Sequence, residues 1–246
     1  MQTSNNKTFN IKTLLWLSIF AIAMGFLESS VVIYLRELYY PSGFEFPLRV
    51  IPPKIAIVEI WREAATIIML IGAGYMTGKN ALTRFAYFLI AFAVWDIFYY
   101  VFLFAFIGWP ASLLTWDILF LIPAPWTGPV IAPCLVALGM IVFGLSILYA
   151  NVNKISKVTR SQWFLLIGGV IIIIASFLYD YCVEVQLSQA SFLPTQEGLL
   201  NELKNYVPTQ FNWFIFYTGL LCSSLGTFFY IQKNTTLFKL NTYEKK

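Results

Sequence analysis

Six long apolar stretches run along the chain, near residues 13–35, 55–77, 85–107, 129–150, 163–186 and 211–232. None alternates apolar and polar with period two, and each reaches the roughly 20 residues that a helix needs to cross a bilayer core. Backbone amides in lipid have no water to bond, so runs of this kind close their hydrogen bonds within a helix. The pattern predicts an all-α integral membrane protein with six transmembrane helices, forming one transmembrane domain over residues 1–246 with short cytoplasmic tails at 1–12 and 233–246. Pro52 and Pro53 before the second stretch, and Pro208 before the last, fit helix starts, where a missing N–H costs nothing. Lys7, Lys12 and Ala21-Ile22-Ala23 imitate a cleavable signal peptide, but the apolar run continues to Tyr34 and predicts a retained first span.

A seventh apolar piece, residues 111–122, is too short to span and ends in Pro123-Ala124-Pro125-Trp126. Pieces of about 10–14 residues are more often re-entrant or interfacial. A hairpin over 111–126 that returns to its own side leaves Lys7, Lys12, Lys79, Arg84, Lys154, Lys157, Arg160, Lys233, Lys239, Lys245 and Lys246 on one side, 11 of the 16 basic residues. The other five are Arg36, Arg49, Lys54, Arg62 and Lys204. The positive-inside rule then puts both termini in the cytoplasm and the hairpin on the outer face of a plasma (inner) membrane.

Composition narrows the chemistry. Hydrophobic residues make up 59% of the 246 and charged residues only 11%, against about 25% charged in a soluble domain. A soluble enzyme is therefore excluded. The absence of histidine removes haem ligation through His, His-bearing zinc sites and Ser-His-Asp hydrolysis. Cys134, Cys182 and Cys222 lie far apart in apolar runs and read as free small hydrophobes. The net charge of +4 is no nucleic-acid signal, because the basic residues sit at helix ends.

The acids are distributed unexpectedly. On this map Glu244 alone is cytoplasmic, and eleven others fall in the outer halves of the spans or beyond. Glu37, Glu45, Glu197 and Glu202 read as solvated loop groups. Asp96 lies near the middle of the third span, and Glu28 lies below the outer end of the first. Glu59 and Glu63 share a face of the second with Arg62 beside them, and Asp180 and Glu184 repeat that four-residue spacing in the sequence. A charge at the bilayer centre costs at least about 2.5–3.5 kcal/mol, so such groups face the bundle interior and seek partners. Glu28, Glu59, Glu63, Asp96 and Asp180 outnumber Arg62 and a snorkelling Arg36 by three negative charges. Glu63–Arg62 and Glu28–Arg36 are the ion pairs that the spacing offers. Tyr99 and Tyr100 follow Asp96, and Trp116 precedes Asp117, so phenols and aromatic faces accompany the acids.

The candidate ligand-binding residues are therefore Glu28, Glu59, Arg62, Glu63, Asp96, Tyr99, Tyr100, Asp117, Asp180 and Glu184, with Glu28, Glu63 and Asp96 as candidates for a divalent cation. No other cofactor is indicated. The expected function is an outward-facing acidic intramembrane pocket that binds a cation or a polar lipid head group. Its alternatives are an accessory or assembly subunit of a membrane complex, a membrane enzyme acting on a lipid-linked substrate, and a cation- or proton-coupled transporter. The expected partners are the lipid bilayer and other membrane subunits or a second copy. Gly74-x-x-x-Gly78 fits close helix packing.

Overall fold

A computed structural model describes residues 10–49, 51–122, 124–153, 156–188 and 206–243. Six long helices carry these residues: α1 (Ile11–Tyr39), α2 (Pro53–Thr77), α3 (Ala81–Ile107), α4 (Ile131–Asn153), α5 (Arg160–Ser188) and α6 (Trp213–Tyr243). Five of them, all but α2, are long and apolar enough to cross a membrane. The 25-residue α2 has the length, but Glu59, Arg62 and Glu63 interrupt its apolar run. Large apolar side chains such as Phe164 (85% exposed) and Phe214 (83% exposed) point away from the bundle. That is costly in water and natural in lipid.

Local chemistry explains the helix starts. Asn10 caps α1 by accepting from the Thr13 amide at 3.2 Å, and Asn80 and Thr83 form a capping box on α3. Pro53 occupies the first turn of α2, as expected. The expectation for Pro208 is corrected. Asn212 caps α6, its side chain accepting from the Ile215 amide at 3.1 Å, and Pro208 lies in the segment leading to it.

The helices alternate in direction. Glycine contacts set how closely they approach: a Cβ at Gly74 would lie 2.7 Å from the Phe88 amide nitrogen, and one at Gly169 would lie 2.7 Å from the Gly219 carbonyl. The Gly74-x-x-x-Gly78 pattern thus joins α2 to α3 within one chain. Three apolar clusters fill the interior. Leu17, Ala21, Leu70 and Trp95 join α1, α2 and α3, while Ala86, Ile90, Phe143, Leu166 and Tyr230 join α3 to α6. Phe177, Phe211 and Phe216 anchor the third.

The hairpin is present, but as strands: β1 (Trp116–Phe120) pairs antiparallel with β2 (Trp126–Pro129), placing Asp117 opposite Gly128 and Ile118 opposite Thr127. The fold is therefore helical with a small sheet rather than purely helical. Hydrogen bonds from the Val130 amide to the Thr115 carbonyl (3.0 Å) and from the Ile131 amide to the Leu113 carbonyl (2.8 Å) extend the pairing to the start of α4. Trp126 stacks on Phe177 of α5 with ring centroids 6.2 Å apart, and Pro125 in the turn is fully buried. Pro123 lies outside the described residues. The hairpin shares its end of the molecule with residues 40–49 and 206–212, Phe46 facing Tyr206 and Tyr206 bonding Thr127.

The α5–α6 contact generates a test. Gly169→Ala forces two backbones apart and is expected to cost about 1–3 kcal/mol. Gly139→Ala enters open space on α4 and is expected to be neutral or to gain up to about 1 kcal/mol. Thermal unfolding in detergent compares the two, and equal melting temperatures would contradict this packing.

Candidate ligand-binding site

Both α1 and α2 pack on α3, yet they barely touch each other. Between their hairpin-end halves lies a cavity of about 250 Å³, closed further by residues 40–49, Ile51, β1 and Leu121. Its lining combines Arg36, Arg49, Arg62, Glu59, Glu63 and Asp117 with Tyr40, Tyr99 and aliphatic Val32, Leu35, Ile60 and Leu121. The expected acidic pocket is thus corrected: three guanidiniums match three carboxylates.

Helix periodicity places Glu59, Arg62, Glu63 and Thr66 on one face of α2. Arg62 donates from Nε to Glu59 Oε2 at 2.9 Å, its Nη2 lies 2.7 Å from the same oxygen, and its Nη1 donates to Glu28 of α1. Thr66 Oγ1 stands 3.2 Å from Glu28 Oε2 and 3.0 Å from the Arg62 carbonyl, sharing one hydrogen between them. Glu28 therefore sits behind the cavity as a counter-ion. Its expected partner Arg36 pairs elsewhere.

Arg36 reaches the hairpin. Its Nη2 donates to Asp117 Oδ1 at 3.3 Å, and its guanidinium carbon lies 3.7 Å from the Trp109 ring centroid and 4.4 Å from that of Phe44. Both side chains are buried, and Arg36 Nη1 and Asp117 Oδ2 have no hydrogen-bond partner among the described residues. Burial pushes the Asp117 carboxyl up to about 6, against the opposing pull of Arg36, the Ile118 amide and the Tyr100 hydroxyl. Glu63 accepts from the Leu121 amide at 2.9 Å through Oε2. Neither Glu63 nor Arg49 forms an ion pair among the described residues. Arg49 donates its backbone N–H to the Tyr40 hydroxyl at 2.8 Å and holds its guanidinium 5.9 Å from that ring. Burial also raises the Tyr40 hydroxyl, and Arg49 and Arg36 oppose the rise.

Of the other candidates, only Tyr99 lines the cavity. Asp96 makes no hydrogen bond or ion pair among the described residues; the charge it interacts with is that of Asp117, of the same sign. Arg62 is no partner for Asp96, being committed to Glu28 and Glu59. Tyr99 lines the cavity, while Tyr100 is buried against Tyr99 (4.9 Å between centroids) and faces Trp109 (6.3 Å). Asp180 belongs to a different structure. It accepts from the Tyr206 hydroxyl (2.6 Å), the Thr209 hydroxyl (3.0 Å) and the Thr209 and Gln210 amides (each 3.3 Å). The Glu184 side chain lies outside the described residues. No group of three His, Cys, Asp or Glu among the described residues is placed to hold a metal ion, so Glu28, Glu63 and Asp96 are not brought together.

Arg36, considered only as a counter-ion, and Arg49 and Tyr40 were missed as site residues. A signal existed: Arg36, Arg49 and Arg62 are three of the five basic residues that the charge count leaves on the outer side. Searches against protein-family models, curated proteins and solved structures find nothing that matches this chain.

Removing one partner of the buried Arg36–Asp117 pair strands the other. Asp117→Leu, which removes charge and acceptor together, is expected to cost roughly 3–5 kcal/mol, and adding Arg36→Met to recover much of it. The folded carboxyl titrates near 6, above its ordinary 3.8. Its titration therefore contributes stability that is fully present below about 4 and lost as pH rises through about 6. Unfolding of wild type, Asp117→Leu and the double variant measures the first effect, and wild type against the non-titrating Asp117→Asn across that pH range measures the second; parallel pH profiles would contradict the assignment to Asp117.

Proposed function

We propose that this chain is a multi-pass protein of a bacterial-type plasma membrane that binds the polar head group of a membrane lipid in its hairpin-end cavity. The carrying observation is the lining, which sets charges of both signs among aliphatic side chains within about 250 Å³. That is smaller than the ~300–1,000 Å³ of a site enclosing a drug-sized ligand, so it suits a head group whose tails stay in the bilayer. Ile60 lines the cavity and is exposed on the outside of α2, giving such tails an apolar surface. Three guanidiniums weigh against the bare cation that the count of acids suggested.

The orientation follows from charge. Lys12, Lys79, Arg84, Lys157, Arg160 and Lys233 belong to the end away from the hairpin, which supports cytoplasmic termini and an outward-facing cavity. A reporter fused after Lys157 is expected in the cytoplasm, and one inserted at Gln210 outside; both on one side would overturn the map.

A transport reading has one observation in its favour. A second cavity of about 630 Å³ lies among α3, α4, α5 and α6, and Ser223, Ser224 and Thr227 are its polar lining residues. With no ionisable group among its lining, it is the weaker site for a polar head.

Native mass spectrometry of protein purified in mild detergent tests the binding reading. Wild type is expected to retain phospholipid. Val32→Trp, which fills the cavity from α1, is expected to lose it while melting within a few degrees of wild type. Equal retention by the two would refute head-group binding at this site.

A further inference from the structure

Two charges in this cavity lack opposite charges of their own. Arg49 at its edge has no carboxylate within ion-pair distance, and Glu63 on α2 has no cation, among the described residues. Arg36, with only 8% of its surface exposed, lines the same cavity and leaves Nη1 unpartnered. Arg62, by contrast, is held by Glu28 and Glu59. Unpartnered donors thus stand on the α1 and 40–49 side, with the free Asp117 Oδ2 of the Arg36 pair among them, and the unpaired carboxylate stands on α2, where Glu59 is one turn from Glu63. A purely anionic head satisfies the arginines and faces Glu63 with a like charge. A purely cationic head does the reverse. Only a ligand carrying both signs relieves both, and each charge-assisted hydrogen bond made here gains from the low dielectric.

Resting on the head-group reading above, we infer that the ligand is zwitterionic, a primary ammonium joined to a phosphate as in an aminophospholipid. The phosphate meets Arg36 and Arg49, and the ammonium meets Glu63 and Glu59. A primary ammonium donates three hydrogen bonds to carboxylates, which a quaternary ammonium cannot do. Guanidiniums in turn suit phosphate oxygens through paired N–H donors.

Short-chain phosphatidylethanolamine, phosphatidylcholine and phosphatidylglycerol, together with soluble phosphoethanolamine, are titrated onto the full chain in detergent. Trp109, stacked on Arg36, serves as the fluorescent reporter. Phosphatidylethanolamine is expected to bind on the order of tenfold more tightly than the other two lipids. Glu63→Gln should reduce it to their level while leaving phosphatidylglycerol binding unchanged or stronger, which also shows that the variant is folded. Arg49→Gln should weaken all three. Equal binding of the three lipids by wild type, or a Glu63→Gln variant that still prefers phosphatidylethanolamine, overturns the zwitterion inference and leaves the head-group reading standing. If no lipid binds, both fail. If soluble phosphoethanolamine binds as tightly as the lipid, the zwitterion assignment holds and the lipid source is rejected.

Discussion

A guanidinium and a carboxylate buried at the edge of a bilayer cost several kcal/mol each unless they meet. Arg36 near the end of α1 and Asp117 on β1 meet across 81 residues of chain. An isolated two-stranded hairpin is marginal on its own, and here it is held from both sides. Through β1 it is tied to α1 by this ion pair, and just beyond β1 the Leu121 amide reaches Glu63 of α2. Through β2 the Thr127 hydroxyl lies 2.8 Å from that of Tyr206, which donates to Asp180 of α5. One run of polar contacts thus crosses from the first helices to α5 and the approach to α6, with the sheet as its middle link.

The cavity is a consequence of that linkage. With Asp117 and Leu121 engaging α1 and α2 from one side, the two helices share α3 as a base and need not close on each other. Beside the cavity, Glu28, Arg62 and Thr66 join them by charge and hydrogen bonds, and the apolar cluster of Leu17, Ala21, Leu70 and Trp95 holds them on α3 further along. The polar groups that hold the walls therefore also line or back the space between them.

Apolar run length was enough to locate the helices, because lipid imposes one requirement on every spanning segment. It erred where local chemistry competes: Asn212 starts α6, and Pro208 lies ahead of it. The hairpin's existence was legible from residues 111–126, but its strands were not, since a short apolar run does not distinguish the two. Partner choice was least legible. Spacing set Arg62 beside Glu59, and the fold keeps that pair; spacing also offered Glu63 to Arg62 and helix sharing offered Arg36 to Glu28, while the fold adds Glu28 to Arg62 and gives Arg36 to Asp117. Asp180 looked like one of a pair with Glu184, yet its bonds come from Tyr206, Thr209 and Gln210, 26 to 30 residues further on. Periodicity states which face a group occupies, and only tertiary packing states what stands opposite.

The helix that reads worst as a span is the one most engaged at the site. On α2, Glu59, Arg62, Glu63 and Thr66 recur at the spacing of one helical face, while Ile57, Val58, Trp61 and Ile68 are exposed around the others. Charge lowers its hydropathy without touching the surface it offers to lipid. The same substitution of polar for apolar residues on the outward face would expel a helix from the bilayer. Placed on the face toward α1 and the hairpin, it yields a segment that satisfies its charges through Glu28 and the Leu121 amide and still presents Glu63 to the cavity. Weak hydropathy in one helix among five strongly apolar ones is thus the sequence trace of a polar site inside a membrane protein.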